Sequence, residues 1–145
     1  MLTTIERVVA LHRVGLFADV PGRTLAAVAQ RATEVEVADG ALVIAEGAVE
    51  EHMFAIVRGR LRVHRGDQPI VELGPGSTVG ELAALVPEPR SASVTAVGPA
   101  TLLRIDRPVL EELLADRPAL AGGIIAALVA MIRERAEAEA ETTPA

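Results

Sequence analysis

The stretch VGELAALVPEPRSASV at residues 79–94 combines a glycine, an acid and a base with small apolar residues and two prolines. Arg90 follows the prolines, and a guanidinium can fork onto a phosphate through two parallel hydrogen bonds. Ser91 adds a hydroxyl donor directly beside it. Glu81 does not suit a phosphate, but its carboxylate can accept a hydrogen bond from a sugar hydroxyl. These residue types favour a ligand that carries both a phosphate and a sugar.

The backbone of the same stretch supports that interpretation. GELAAL at 80–85 predicts a short helix after a turn, and Gly80 would let a ligand approach the backbone closely. The first amides of such a helix, near Leu82 and Ala83, have no partners within the helix and point outward. They therefore form a predicted anion site next to the side chains described above.

The elements that must position these residues form a β block over 33–105. Short apolar runs alternate with turn residues at intervals of about 8–12 residues, which is typical of an all-β sandwich or barrel. Gly59 and the pair Gly98-Pro99 are interpreted as tight turns between strands. The predicted strands are TEVEV at 33–37, LVIA at 42–45, MFAIVR at 53–58, RLRVHR at 60–65, PIVEL at 69–73, SASVTAV at 91–97 and TLLRI at 101–105.

Helices are predicted before this block, within residues 1–32. A helical pattern runs over 2–13, and Pro21 opens a second helix because proline fits a first turn. The pattern of the first helix places its apolar residues near one face, with His12 beside them. These residues are Leu2, Ile5, Val8 and Val9.

Helices are also predicted after the block, within 106–139, followed by a frayed tail at 140–145. Asp-Arg-Pro occurs at 106–108 and 116–118, and each triplet can start a helix because Asp caps and Pro fits the first turn. The second of these helices has an apolar stripe that fits either a core helix or a homodimer interface. The stripe contains Ile124, Ile125, Leu128, Met131 and Ile132.

The composition limits the class of protein. With 145 residues, half of them hydrophobic, the chain fits one domain over 1–145 whose core is aliphatic. The absence of Cys excludes disulfides and Cys-based zinc sites, and it is compatible with the cytoplasmic location that we expect. The net charge of −6 argues against nucleic-acid binding.

Several other functions are not expected. The apolar run at 118–132 is shorter than the roughly 18 residues of a membrane span, and the N-terminus does not resemble a signal peptide. His12, His52 and His64 are scattered without metal-ligand spacing, so surface or edge positions are predicted for them. No catalytic arrangement and no phosphate-binding loop of the G-x-x-x-x-G-K-[ST] type is found. We therefore expect no enzyme, no metal and no cofactor.

The motifs resemble those of the cyclic nucleotide-binding domain family, which includes the bacterial catabolite activator and the regulatory subunits of cyclic-AMP-dependent protein kinase. The family's phosphate-binding cassette has the form F-G-E-x-A-L, a short loop, then P-R-x-A-T/S-V. It is matched here by VGELAAL at 79–85 and PRSASV at 89–94. The segments LFADVPGRTLAAVA at 16–29, DGALVIAEG at 39–47, FAIVRGRLRVHR at 54–65 and ELGPGSTVGE at 72–81 are also similar, so the resemblance covers about 16–135.

The resemblance implies a mainly-β fold with flanking helices: a β-roll of the double-stranded β-helix or jelly-roll type, N-terminal helices, and two C-terminal helices that act as hinge and lid. The implied ligand is cyclic AMP or cyclic GMP, with the base left open. Arg90 would pair with the cyclic phosphate and Glu81 with the ribose 2′-hydroxyl. The other implied ligand-binding residues are Gly80, Leu82, Ala83, Ser91 and Ala92 around the phosphate, and Val63 and Leu73 as apolar walls.

The chain also departs from the family pattern. Val79 replaces a usual Phe, Ala84 a usual Leu, and AVEE at 48–51 a loop that commonly contains glycine. The last predicted helix has no aromatic residue to cap the base, which leaves as candidates Leu128, Met131, Ile132, Arg133 and Arg135. Two hypotheses stay open. The chain is either a regulatory domain whose C-terminal helices move on nucleotide binding, or a ligand-free structural or dimerisation module of a larger protein. No DNA-reading helix follows residue 139, so two interpretations stay open: a domain of a longer parent protein with an attached effector domain, or a lone sensor.

Overall fold

A computed structural model describes residues 1–86, 88–118, 121–122, 125–126, 128–130, 132–133 and 136–137. Ile124 and Met131 of the predicted stripe, the predicted helix end at Glu139 and the predicted tail at 140–145 lie outside the described residues. So do the side chains of Leu82 and Ala83.

The described residues form six strands that pair into one antiparallel sheet with helices on either side in sequence. The sheet order is β1-β6-β3-β4, while β2 also pairs with β6 and β5 with β3. This confirms the predicted mainly-β fold with flanking helices. The strands are β1 (Thr33–Val37), β2 (Leu42–Ile44), β3 (His52–Arg65), β4 (Gln68–Leu73), β5 (Thr78–Val79) and β6 (Ser93–Asp106). The helices are α1 (Thr4–His12), α2 (Gly22–Arg31), α3 (Glu81–Leu85) and α4 (Arg107–Asp116), with a 3-10 turn at Gly15–Phe17.

The two longest strands correct the sequence prediction. β3 and β6 are each continuous over 14 residues, so the tight turns predicted at Gly59 and at Gly98-Pro99 were wrong. Gly59 has a φ of +90° and lies at an irregularity in the β3–β6 register. A Cβ atom at this position would lie 2.6 Å from the Pro99 carbonyl oxygen and 2.7 Å from the Ala100 Cβ. Glycine therefore permits a bulge where two strands approach closely, instead of ending a strand.

Alternate residues of β3 contribute to two different apolar clusters, because successive side chains of a strand point to opposite faces. Met53 and Ala55 belong to a cluster shared with the helices. Phe54 and Ile56 belong to a second cluster built only from the β block, which we call the roll interior. Its buried members are Ile44, Phe54, Ile56, Leu61, Val79, Val94, Ala96, Ala100 and Leu102. The chain thus has one core that positions the helices and another that the strands enclose.

The buried face of α1 differs from the prediction. Leu11 is fully buried and Val8 is partly buried, whereas Ile5 and Val9 are exposed. Nη1 of Arg7 donates to the Ala29 and Ala32 carbonyls, at the C-terminal end of α2, at 3.0 and 2.7 Å. The predicted helix is present, but its buried face is rotated towards Val8 and Leu11, which pack into the cluster shared with the other helices.

The C-terminal helices lie where they were predicted, but Asp106 at the N-cap of α4 makes no capping hydrogen bond with its side chain, so that part of the prediction was wrong. α4 begins at Arg107, with Pro108 in its first turn, and it buries Val109, Leu110 and Leu113. The described residues between 118 and 137 are helical, and among them Leu128 is buried. None of the helices formed by the described residues is long and apolar enough to cross a membrane.

Candidate functional site

The cassette residues follow one another through β5, α3 and the segment before β6. α3 begins at Glu81, which confirms the short helix predicted after the turn. Gly80 connects β5 to α3 with a φ of +79°, a conformation that residues with a side chain rarely adopt. A Cβ atom on Gly80 would also collide with Nη1 of Arg90. Glycine is thus required both by the backbone and by the guanidinium packed against it.

The backbone of Arg90 is held by the loop between β2 and β3. Its N–H donates to the Ala48 carbonyl at 2.8 Å, and its own carbonyl accepts from the Gly47 N–H at 2.8 Å. Val49 and Pro89 form an antiparallel bridge beside these bonds. The loop in which AVEE departs from the family pattern therefore fixes the main chain of Arg90.

The side chain of Arg90 is held by Gly80 within the cassette and by His52 at the start of β3. Only 5% of the residue is exposed. Nη1 donates to the Gly80 carbonyl at 3.0 Å, and Nη2 donates to the His52 carbonyl at 2.6 Å. Nε has no hydrogen-bond partner among the described residues. Burial lowers the pKa of the guanidinium, while the nearby carboxylates of Glu50 and Glu81 act in the opposite direction. A guanidinium stays charged in such a setting, so the site contains a buried, oriented cation.

Glu81 lies within electrostatic reach of Arg90 and is itself 2% exposed. Gly80, Glu81 and Arg90 are therefore brought together as predicted.

The other predicted phosphate-site residues lie on either side of this pair. Ser91 is exposed, and its carbonyl accepts from Nε of Arg65 at 3.2 Å, while Ala92 is half-buried. Leu82 and Ala83 lie in the first turn of α3.

Val63 and Leu73 lie on β3 and β4, and both are half-buried against the roll interior. Val63 pairs with Val94 of β6 and with Val71 of β4. The two predicted wall residues thus share an apolar surface that continues into the strand after the cassette.

His52 and Glu50 were not predicted as site residues. His52 was expected at a surface or edge, but its side chain is only partly exposed and its Nε2 lies 2.9 Å from Oε2 of Glu50. The ring packs edge-on against Phe54, with centroids 5.1 Å apart. Strand alternation offered a signal, because counting back two residues from Phe54 places His52 on the face of the roll interior.

The pKa of His52 reflects this mixed environment. Burial lowers the pKa below its ordinary value, and the positive charges of Arg90 and Arg104 act in the same direction. The carboxylates of Glu50 and Asp106 oppose them. The neutral imidazole is therefore favoured at neutral pH. Among the described residues, no group of three or more His, Asp or Glu side chains is placed to hold a metal ion.

Comparison with known proteins places this geometry in a family. The profile described as "Cyclic nucleotide-binding domain" matches residues 34–117, more than half of the chain. The chain belongs to the cyclic nucleotide-binding domain family, which confirms the resemblance drawn from the cassette.

Proteins with different names and functions contain a segment that is similar to this chain. A CRP-like cAMP-activated global transcriptional regulator of Mycobacterium tuberculosis is 27% identical over 128 residues, which cover 85% of this chain and 57% of the regulator. A cyclic nucleotide-gated potassium channel of Rhizobium etli is 39% identical over 82 residues, which cover 57% of this chain and 23% of the channel. The chain thus spans less than two thirds of either relative.

A solved structure gives the same result for the fold. The regulatory domain of Toxoplasma gondii PKA, crystallised with cAMP, superposes with a TM-score of 0.71 at 25% identity. The match covers 76% of this chain and 44% of that chain. The β-roll architecture implied by the sequence motifs is therefore the architecture of this chain.

Proposed function

We propose that this chain is a cyclic nucleotide sensor that binds cyclic AMP or cyclic GMP within its β-roll. The observation that carries the proposal is the state of Arg90. Its guanidinium is buried and oriented by two hydrogen bonds, both to neutral carbonyls, those of Gly80 and His52. A buried cation is costly unless anions compensate its charge, and a phosphate would add to the compensation that the carboxylates of Glu50 and Glu81 already give. A cyclic phosphate is an anion of suitable size for a guanidinium that is already oriented.

The other cassette residues complete the proposed phosphate site. The N–H groups of Leu82 and Ala83 in the first turn of α3 and those of Ser91 and Ala92 would donate to phosphate oxygens, with Gly80 permitting the close approach. The Ser91 hydroxyl adds a donor that is exposed in the present structure.

The sugar and the base occupy the remaining positions in this proposal. Glu81 would accept the ribose 2′-hydroxyl, because a buried carboxylate gains from a hydroxyl donor. Val63 and Leu73 would contact the sugar and base through apolar surface. Two relatives support the ligand class, since one is named for activation by cAMP and another was crystallised with it.

The ligand signal would pass from α3 to α4. Glu81 and Leu85 of α3 line the same cavity of about 10 Å³ as Leu110 and Leu114 of α4. A shift of α3 around the ligand would therefore repack α4 and the helical residues after 118. In energetic terms, nucleotide binding selects one of two helix arrangements by its differential affinity. Hydrogen exchange of α4 measured with and without nucleotide tests this step, and unchanged protection rates would refute it.

The last helix is proposed to mediate homodimerisation. Ile125, Val129 and Ile132 are exposed at helical spacing, while Leu128 is buried. An apolar stripe of this kind favours association with a second copy. We further propose a non-enzymatic, cytoplasmic regulatory role in which an effector domain of a longer protein responds to the helices.

Calorimetric titration of the wild-type chain tests the central proposal. Cyclic AMP, cyclic GMP and linear 5′-AMP are titrated separately, with the linear nucleotide as the control for the cyclic phosphate. We expect saturable binding of at least one cyclic nucleotide and much weaker binding of 5′-AMP. No heat and no thermal shift with either cyclic nucleotide at millimolar concentration would refute the proposal.

A ligand-free structural or dimerisation module is the second candidate function. Glu50 favours it, because its carboxylate already acts on the charge of Arg90 and would compete with a phosphate. The same titration separates the two candidates, because this module would bind neither cyclic nucleotide. Sedimentation would then show a dimer that does not respond to nucleotide.

A further inference from the structure

His52 and Arg90 are coupled in two ways at the phosphate end of the proposed site. The His52 carbonyl accepts a 2.6 Å hydrogen bond from Nη2 of Arg90. The His52 side chain points to the same face as Phe54 and contacts its ring. The imidazole therefore lies on the roll-interior face, on the residue whose main chain holds the guanidinium.

The charges that face the His52 ring come from three segments. Glu50 lies in the loop before β3, with its Oε2 2.9 Å from Nε2 of the ring. Arg90 lies before β6, and Arg104 and Asp106 lie at the end of β6, where Asp106 is directly paired with His52. Nε of Arg104 donates to Oδ1 of Asp106 at 3.2 Å, so these two charges largely offset each other. Beside burial, which disfavours the charged ring most, Glu50 and Arg90 are left as the opposed charges that act on it.

We propose that His52 takes up a proton when a cyclic nucleotide binds, so that the Glu50–His52 pair couples nucleotide affinity to pH. This inference rests on the proposed function. An anionic phosphate on Arg90 would offset the positive charge that, together with burial, now disfavours the imidazolium. Glu50 is already placed to accept the Nε2–H of the charged ring. Binding the phosphate would therefore raise the pKa of His52 and shift the ring towards its charged form.

The direction of the pH effect follows from linkage. The pKa of His52 lies below 6.5 in the free chain and would be higher in the complex. The affinity is then highest and constant below the free-state pKa, falls as the pH rises between the two pKa values, and is lowest and constant above the bound-state pKa. A difference of one unit between the two values would change the affinity about tenfold.

The test combines calorimetry with NMR on the full chain, using cyclic AMP and cyclic GMP as probes. Affinity is measured from pH 5 to pH 8.5, and proton uptake is measured in buffers of different ionisation enthalpy. We expect about a threefold to tenfold loss of affinity across this range and net proton uptake between the free-state and bound-state pKa values. The NMR titration of the His52 ring should give a higher pKa in the complex than in the free chain.

Three variants separate this role from a structural one. His52→Gln keeps the backbone carbonyl that Arg90 uses, and it should bind with an affinity that no longer depends on pH. Glu50→Gln removes the negative charge at Nε2 and should reduce proton uptake. His64→Gln is the matched control on the same strand, because His64 contacts Thr95 and the Gly66 carbonyl instead; it should behave like the wild type.

The outcomes distinguish this inference from the proposed function. Nucleotide binding without proton uptake, or a pH dependence that persists in His52→Gln, would overturn the inference and leave the proposed function intact. No binding of either cyclic nucleotide at any pH would overturn both.

Discussion

At the phosphate end of the candidate site polar side chains are buried and held by hydrogen bonds, whereas at the base end the side chains are apolar and half-exposed. Arg90 and Glu81 are almost inaccessible to solvent, and Arg90 has two carbonyl partners. Val63 and Leu73 lie against the roll interior without polar partners of their own side chains. The phosphate end can therefore offer a ligand directional hydrogen bonds, while the base end can offer only apolar contact.

This difference indicates where affinity and selectivity arise. If the site binds a cyclic nucleotide as proposed, a buried guanidinium and carboxylate in set positions would accept one arrangement of phosphate and ribose, because hydrogen bonds are directional. Apolar surface is not directional, so it accepts adenine and guanine alike. We therefore expect most of the binding free energy from the phosphate end and little base selectivity from Val63 and Leu73.

Arg90→Ala should produce the largest loss, on the order of 100-fold or more in affinity for the nucleotide. The cyclic phosphate would lose its buried charge partner, and removing one partner of such a pair costs about 2–5 kcal/mol. Arg90→Lys keeps the charge but loses the fork and should bind with intermediate affinity. Calorimetry with cyclic AMP measures both, and circular dichroism checks that each variant is folded. If a folded Arg90→Ala variant bound as tightly as the wild type, the assigned role of Arg90 would be wrong.

Glu81→Gln should weaken binding by roughly tenfold, because a hydrogen bond to a charged group is worth about 1.5–3 kcal/mol and the amide retains part of it. The matched ligand is 2′-deoxy cyclic AMP, which lacks the hydroxyl. In the wild type the deoxy ligand should bind more weakly, and in Glu81→Gln this penalty should shrink. Additive losses in this double-mutant cycle would show that Glu81 does not contact the ribose hydroxyl.

Gly80→Ala should reduce affinity on the order of tenfold, because a Cβ atom would displace the Arg90 guanidinium from its oriented position. Gly40→Ala is the matched control, since Gly40 has the same φ of +79° but no atom within 4 Å of the added Cβ. Both variants should lose about 1–2 kcal/mol of stability from the backbone conformation. Equal affinities in these two variants would contradict a role of Gly80 in positioning Arg90.

Leu73→Ala and Val63→Ala should have the smallest effects, about twofold to fivefold for each ligand, because only half-buried apolar area is lost. The losses should be similar for cyclic AMP and cyclic GMP. Competition titrations with both nucleotides measure this. A loss confined to one nucleotide would show that the base end selects its ligand, and the comparison between the two ends would need revision.

The fold class and the cassette were predictable because their signals are local. Strand alternation and the turn residues spread over 33–105 predicted the mainly-β fold, and GELAAL predicted the helix that the structure has at Glu81–Leu85. Gly80, Glu81 and Arg90 lie within one short stretch, so their proximity follows from the chain itself. Their roles toward a ligand stay predictions.

Glycine shows the limit of such local signals. Gly59 and Gly98 both have positive φ values, which tight turns and bulges share. Only the pairing of β3 with β6 decides between the two, and it makes each strand continuous. The buried face of α1 is a similar case, because Val8 and Leu11 pack into the cluster shared with the other helices.

The sequence by itself determined which residues could bind a phosphate and a sugar, because residue type and short spacing carry that chemistry. The tertiary structure alone decided how the cation is held. Arg90 is anchored to a carbonyl 38 residues earlier in the chain, and that carbonyl belongs to a histidine paired with Glu50. No local pattern encodes such a contact, because it exists only when β3 and the cassette pack together around one buried charge.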